Sequence, residues 1–232
     1  MLLTRLEQDI RFFLGNAKDI FFNEADLQLQ LAIFLQQRKF YNKIYLEYYV
    51  PGTILKNQHN LHSEKYKWFK KNNDGKTQSP SNINVDIVVQ KNGLYIPIEL
   101  KYKHKQSIAT FDLFSSGLPI NIIKEQQAKN NGCYAFWKDV RRIEILRNSF
   151  QKVPGGFAIF LSNKPLYKNK PIAGSNHQNF SMEDRASHGP NMNWLVPKHA
   201  SMPDFRLDTS YTTNWTNITM QSEKFFYCLV RI

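Results

Sequence analysis

Apolar positions recur at helical spacing over residues 2–14. Leu2, Leu3, Leu6, Ile10, Phe13 and Leu14 share one face, and Gly15 is placed to cap the end. A second helix starts at Asn23, with Asp26 in the capping-box position and Leu27, Leu31 and Leu35 as its stripe. Residues 43–50 (KIYLEYYV) are aromatic and β-branched and read as a strand, ended by Pro51-Gly52. Residues 83–101 read as a β-hairpin of INVDIVV, the turn QKNG and LYIPIELK. A third helical region runs from about residue 121 to 148, with Asn130-Asn131-Gly132 as a candidate interruption. Residues 157–161 (FAIFL) and 225–231 (FFYCLVR) are apolar strands. Residues 53–82 form a polar insertion with one short helix expected around 62–71, and residues 162–204 are expected to be irregular. The order αα-β-ββ-α-β is that of an α/β fold with a mixed sheet.

Composition narrows the classes. With 232 residues and 42% hydrophobic content, one core and one domain over 1–232 are expected. The net charge of +12 and pI of about 9.6 point to a polyanionic partner, nucleic acid first. The insertion is itself basic, with Lys56, Lys65, Lys67, Lys70, Lys71 and Lys76 against Glu64 and Asp74. Trp68 and Phe69 lie within it, placed either to stack on bases or to pack in the core. Cys133 and Cys228 make no disulfide scaffold. Arg5, Glu7, Asp9 and Arg11 interrupt the apolar N-terminus, so neither a signal peptide nor a membrane span is expected, and the protein reads as cytoplasmic. No phosphate-binding loop, dinucleotide fingerprint or serine-hydrolase elbow is present, and the histidines form no metal-ligand pattern.

The hairpin carries the candidate chemistry. Asn92-Gly93 suits a type I′ turn, which needs positive φ at both central positions. Counting outward, Lys91 pairs with Leu94, Val89 with Ile96, and Asp86 faces Glu99. That last pair falls at a non-hydrogen-bonded position, where Cα atoms approach to about 4.5 Å. Lys101, two residues beyond Glu99, shares its face. Facing carboxylates repel, so Lys101 or a divalent cation must offset them. Mg²⁺ takes one or two carboxylates plus waters and substrate phosphates, and such an ion activates water for hydrolysis. The competing reading is a solvated strand face. Pro97 tests the register, because it forgoes a ladder bond.

Asp86, a gap of 12 residues, and Glu99-Leu100-Lys101 resemble the PD-(D/E)xK signature of the restriction-endonuclease-like superfamily, with Val85 where a proline is usual. NEADLQLQLAIFL resembles the first-helix segment that supplies a further Glu in Holliday-junction resolvases. QQAKNNGCYAFWKDVRRIE resembles the helix after ExK in uncharacterised bacterial members. The resemblance covers roughly residues 20–161. It implies an αβββαβ core, with a central mixed sheet flanked by helices, and an endonuclease-like phosphodiesterase using Mg²⁺ or Mn²⁺ on nucleic acid, DNA first. On it, Asp86, Glu99 and the Leu100 backbone carbonyl bind metal and Lys101 positions the attacking water. Glu24 is the first-helix acid, with Glu47 as the second candidate for that role. Lys103, Lys105, Lys67, Lys70, Lys71 and Gln127 are candidate nucleic-acid contacts. For Gln127 and Tyr134, seven apart, packing is the competing role. Asp139, Arg141, Arg142 and Glu144 read as surface ion pairs. Many members of the superfamily are dimers, which leaves a homodimer open. The alternative class is a nucleic-acid-binding module that keeps the fold without cleaving, and a third is a basic protein meeting another acidic partner.

Overall fold

The computed structural model describes residues 1–55, 82–105, 131–196, 202 and 204–232, and the backbone of 56–58, 111–112, 119–120 and 129–130. The expected helix around 62–71, with Lys67, Trp68, Phe69, Lys70 and Lys71, lies outside the described residues, as does Gln127.

Helix α1 spans Leu2–Gly15 and α2 spans Glu24–Gln37. Gly15 belongs to α1 rather than capping it, and Asn16 takes the cap. Asn23 caps α2 as expected, its side chain accepting from the Asp26 amide at 2.9 Å, while Asp26 in turn accepts from the Phe22 amide. Strand β1 is Lys43–Val50, and a short helix α3 (Gly52–Gln58) follows where a loop was expected. Strands β2 (Ile83–Lys91) and β3 (Leu94–Lys103) form the hairpin. Helix α4 (Lys129–Ser149) runs through Asn130-Asn131-Gly132 without a break, and residues 121–128 of the expected helix are outside the described ones. Strands β4 (Phe157–Ser162), β5 (Trp215–Met220) and β6 (Glu223–Arg231) complete the sheet.

The strands form one six-stranded sheet in the order β1-β2-β3-β4-β6-β5. Only β3 and β4 pair in parallel, joined by the crossover that contains α4. The fold is therefore mixed α/β with a central mixed sheet flanked by helices. One face of β3, with Ile96, Ile98, Leu100 and Tyr102, packs with Leu6, Ile10, Leu27, Leu31 and Leu35 of α1 and α2. The other face meets α4, whose Phe136, Trp137, Val140 and Ile143 pack with Ala158, Phe160, Cys228 and Val230. Both cysteines are buried and unbridged.

Two stretches depart from expectation. Strand β5 was missed, because its turn to β6 uses Gln221 and Ser222, with φ of 44° and 67°, in place of the Asn or Gly that marks such turns. The described residues between 163 and 212 are not a loose connection. They contain short 3₁₀ turns and two-residue strand pairs, and bury Phe180, Met182, Met192, Trp194, Phe205, Leu207 and Tyr211 against α4. The Trp137 indole donates to the Phe180 and Ser181 carbonyls. Asp208 ties the segment to α4 through Arg141 at 2.8 Å and through its own amide to Glu144. Arg141 and Glu144 are 2% and 0% exposed, so the expectation that they lie at the surface is overturned. Among the described residues, no helix is long and apolar enough to cross a membrane.

Candidate active site

The hairpin has the register counted from Asn92-Gly93: Lys91 pairs with Leu94, Val89 with Ile96 and Ile87 with Ile98. Both turn residues have positive φ, 51° and 77°. In a two-residue hairpin the pair flanking the turn is hydrogen-bonded, so alternate pairs, including Val88–Pro97, are not. Pro97 therefore gives up no bond to β2. On its other edge, pairing with β4 starts one residue later, at Ile98–Phe157. The neighbouring Tyr95 amide, on that same edge, donates to the Lys152 carbonyl at 2.8 Å. The doubt that Pro97 raised about the register is resolved.

The ladder between β2 and β3 ends at Ile87–Ile98, although both strands continue, so the expected cross-strand pair of Asp86 and Glu99 is not formed. Beyond that point β2 stays paired with β1, through Tyr48–Val85 to Val50–Ile83, while β3 stays paired with β4 to Lys103. The sheet forks. Glu47, in register opposite Asp86, has a left-handed φ of 50° and is skipped by the β1–β2 pairing. The Asp86 carbonyl bonds instead to the Gln28 amide at 2.6 Å, and the same amide reaches the Glu47 carboxylate at 2.8 Å. The core clusters also change sides here: Ile83 and Val85 pack with Val88, whereas Ile87 and Val89 pack under α1 and α2. These features mark a local distortion at Glu47 and Asp86 that skips one pair of the ladder and leaves its register unchanged on both sides.

A fork exposes backbone amides that need acceptors. The Leu100 amide donates to the Asp86 carboxylate at 2.6 Å, and the Tyr102 amide donates to the Glu24 carboxylate at 2.8 Å. Two acids thus cap the successive β3 amides that β2 no longer serves. In a strand a residue's carbonyl points to the same edge as its amide, so the Leu100 carbonyl also faces the fork. It accepts from the Lys101 ammonium at 2.8 Å. Lys101 Nζ lies 3.6 Å from Glu24 and 2.8 Å from Asp139 of α4. Arg142, one helical turn on, sits 3.1 Å from Asp139 and 3.6 Å from Glu99. Glu99 and Lys101 both reach α4, as their shared face requires.

The structure brings together Asp86, Glu99, Lys101, Glu24 and the Leu100 carbonyl. Glu47 stands at the rim, held by Gln28 and exposed, so Glu24 is the acid that enters the fork. Lys103 is half-buried on the Lys101 face. Lys105 instead lines a separate cavity of about 810 Å³ with Asn163, Lys168 and Lys224. Tyr134 is buried against Phe180, Trp194 and Phe205, the packing role. Asp139 and Arg142 were misread as surface charge. Asp139 is 2% exposed and belongs to the cluster. Helical i, i+3 spacing is the same whether a charge pair is solvated or buried, so spacing alone could not separate the two.

Electrostatics sort the groups. Burial pushes the Asp86 carboxyl up to about 6, against the pull of Lys101 and the Leu100 amide. Burial, with Asp139 and Asp86 nearby, holds Glu99 well above the ordinary carboxylate range despite Arg142. Both Glu99 oxygens are buried without a hydrogen bond among the described residues. For Lys101, burial opposes the charge, but Asp139, Glu24 and Asp86 outweigh it and raise its pKa. Lys138, half-buried on α4, is lowered by burial and by Arg142.

The Glu99 oxygens without a hydrogen bond, the Asp86 and Glu24 carboxylates and the Leu100 carbonyl, which Lys101 now covers, are the hard oxygen donors that a divalent cation takes. No group of three His, Cys, Asp or Glu among the described residues forms a ready cage. Comparison with protein-family models, curated proteins and solved structures finds no match to this chain.

Proposed function

We propose that this chain is a metal-dependent phosphodiesterase, an endonuclease-like hydrolase acting on nucleic acid, DNA before RNA. The order α2-β1-β2-β3-α4-β4 supports a restriction-endonuclease-like core. The observation that carries the reading is the fork: one break in the sheet gathers Asp86, Glu24, the Leu100 carbonyl and Lys101, with Glu99 on the same strand face.

Asp86, Glu99 and the Leu100 carbonyl, with Glu24 beside them, would hold Mg²⁺ or Mn²⁺. Such an ion supplies a polarised phosphate and a bound water of lowered pKa. The chain's own groups do the rest. Lys101 keeps its proton, so it acts as a fixed cation that orients water and stabilises developing negative charge, not as a general base. Burial raises both Asp86 and Glu99, so binding of a cation to their carboxylates would be coupled to pH. The chain's net charge of +12 favours a polyanionic substrate.

A second reading, a binding module that does not cleave, draws on one observation: Lys101 is tied to Asp139 and Arg142 stands beside Glu99, so the cluster is partly neutralised from within. A cleavage assay separates the two. Duplex, single-stranded and branched DNA, and RNA, are incubated with the protein in Mg²⁺, in Mn²⁺ and in EDTA, beside Lys101→Ala and Asp86→Ala. Metal-dependent cleavage lost in both variants supports the enzyme. Binding with equal, negligible cleavage by all three proteins leaves the binding module. No binding to any nucleic acid at low salt sinks both.

A further inference from the structure

Lys101 has two strong contacts of different kinds. Its ammonium is 2.8 Å from the Leu100 carbonyl, which faces the fork, and 2.8 Å from Asp139, which belongs to α4 and caps no amide there. A third, looser contact runs to Glu24 at 3.6 Å. In this arrangement the ammonium covers the carbonyl and touches the carboxylate that a divalent cation would need. A cation taking Leu100 and Glu24 removes two of the three partners. Only Asp139 remains, and it is itself held, with Arg142 at 3.1 Å on its other oxygen. Asp139 is 2% exposed, so without the ammonium it would be a buried carboxylate whose remaining ion pair, among the described residues, is with Arg142.

We infer that Asp139 is a positioning residue: it retains the Lys101 ammonium when a divalent cation occupies the Leu100 carbonyl and Glu24, and so keeps lysine and metal from competing for one place. The inference rests on the reading of the fork as a metal site. It assigns α4 a role in cation binding without making Asp139 a ligand.

A double-mutant cycle on Mn²⁺ affinity, read by titration calorimetry or by the spin-resonance signal of free Mn²⁺, tests it. The four proteins are wild type, Asp139→Asn, Lys101→Met and the double variant, each checked for folding by circular dichroism. Without Asp139 the lysine stays on the carbonyl, so Asp139→Asn weakens Mn²⁺ roughly tenfold, within the coupling range of contacting residues. In the Lys101→Met background the same change alters affinity less than about twofold, because no lysine is left to retain. Equal weakening in both backgrounds would overturn the inference, since Asp139 would then act on the ion directly. Unchanged affinity in both would overturn it too. A wild type that binds no Mn²⁺ fails the metal-site reading itself, and the inference falls with it. If D139N does not fold, Asp139→Ser serves the same cycle, with the same outcomes.

Discussion

The Asp86 carboxylate accepts a 2.6 Å hydrogen bond from the amide of Leu100, at the place where β2 and β3 part. The bond explains how a sheet can open in its middle without stranding a donor. It also fixes Asp86 beside a carbonyl that faces the same gap, and places a carboxyl where burial raises its pKa.

That raised pKa gives a stability prediction. The folded protein keeps the Asp86 proton up to about pH 6, while the unfolded chain releases it near pH 4. The folded state binds more protons across that window, so stability falls as pH rises through it. Asp86→Asn can still accept from Leu100 and carries no charge. It is expected to raise stability at pH 7 by about 1–3 kcal/mol, with the gain vanishing below about pH 4. Urea denaturation at pH 4 and pH 7 checks this. An unchanged or lower stability at pH 7 counts against a buried, strained carboxylate.

The same protons compete with a cation. Mn²⁺ affinity is expected to climb with pH, most steeply around the Asp86 value of about 6, with the raised Glu99 carboxyl adding to the proton release on binding. Titration calorimetry in buffers of different ionisation enthalpy counts the protons. Affinity that is flat from pH 5 to 8 would assign the binding to other groups.

Arg141 joins Glu144 at 2.7 Å and Asp208 at 2.8 Å inside the interface between α4 and residues 205–211. Arg141→Ala leaves Glu144 buried without its charge partner, although Tyr211 and the Asp208 amide still donate to it. A loss of about 3–5 kcal/mol is expected in denaturant unfolding. A loss under about 1 kcal/mol would mean the cluster is already solvated.

Gly156 leads into β4 beneath Pro97. A Cβ there would come within 2.5 Å of the Pro97 carbonyl oxygen and 2.6 Å of Ile143 Cγ2. Gly156→Ala is expected to destabilise by about 1–3 kcal/mol, as overpacking does. Because Pro97 precedes Glu99 by two residues on one face, Mn²⁺ affinity should fall as well. Intact stability would show that the strand can shift freely.

Much of the site was legible because the turn residues are explicit. Asn92-Gly93 determined the register as far as Ile87–Ile98, and strand alternation put Glu99 and Lys101 on one face, while Asn23 placed the start of α2 and with it Glu24; the expected pairing of Asp86 with Glu99 is replaced by the bond from Asp86 to the Leu100 amide. What stayed hidden depends on tertiary context. The fork is a fault in pairing, marked by a left-handed Glu47 that no propensity flags. Asp139 and Arg142 have the spacing of any exposed ion pair, and only the packing of α4 on β3 turns them inward. The buried aromatic residues described between 163 and 212 have no period, because they come from separate short turns and strand pairs into one cluster with α4, where Phe180 packs on both Trp194 and Phe205.

The most direct test is single-turnover cleavage of supercoiled and single-stranded DNA in Mg²⁺ by wild type and Lys101→Ala, with metal binding measured in parallel. Loss of one fixed cation that stabilises developing charge is expected to slow cleavage by roughly 100- to 1,000-fold while Mn²⁺ still binds. Wild-type cleavage that survives EDTA, or a Lys101→Ala variant that cleaves at the wild-type rate, would contradict the account.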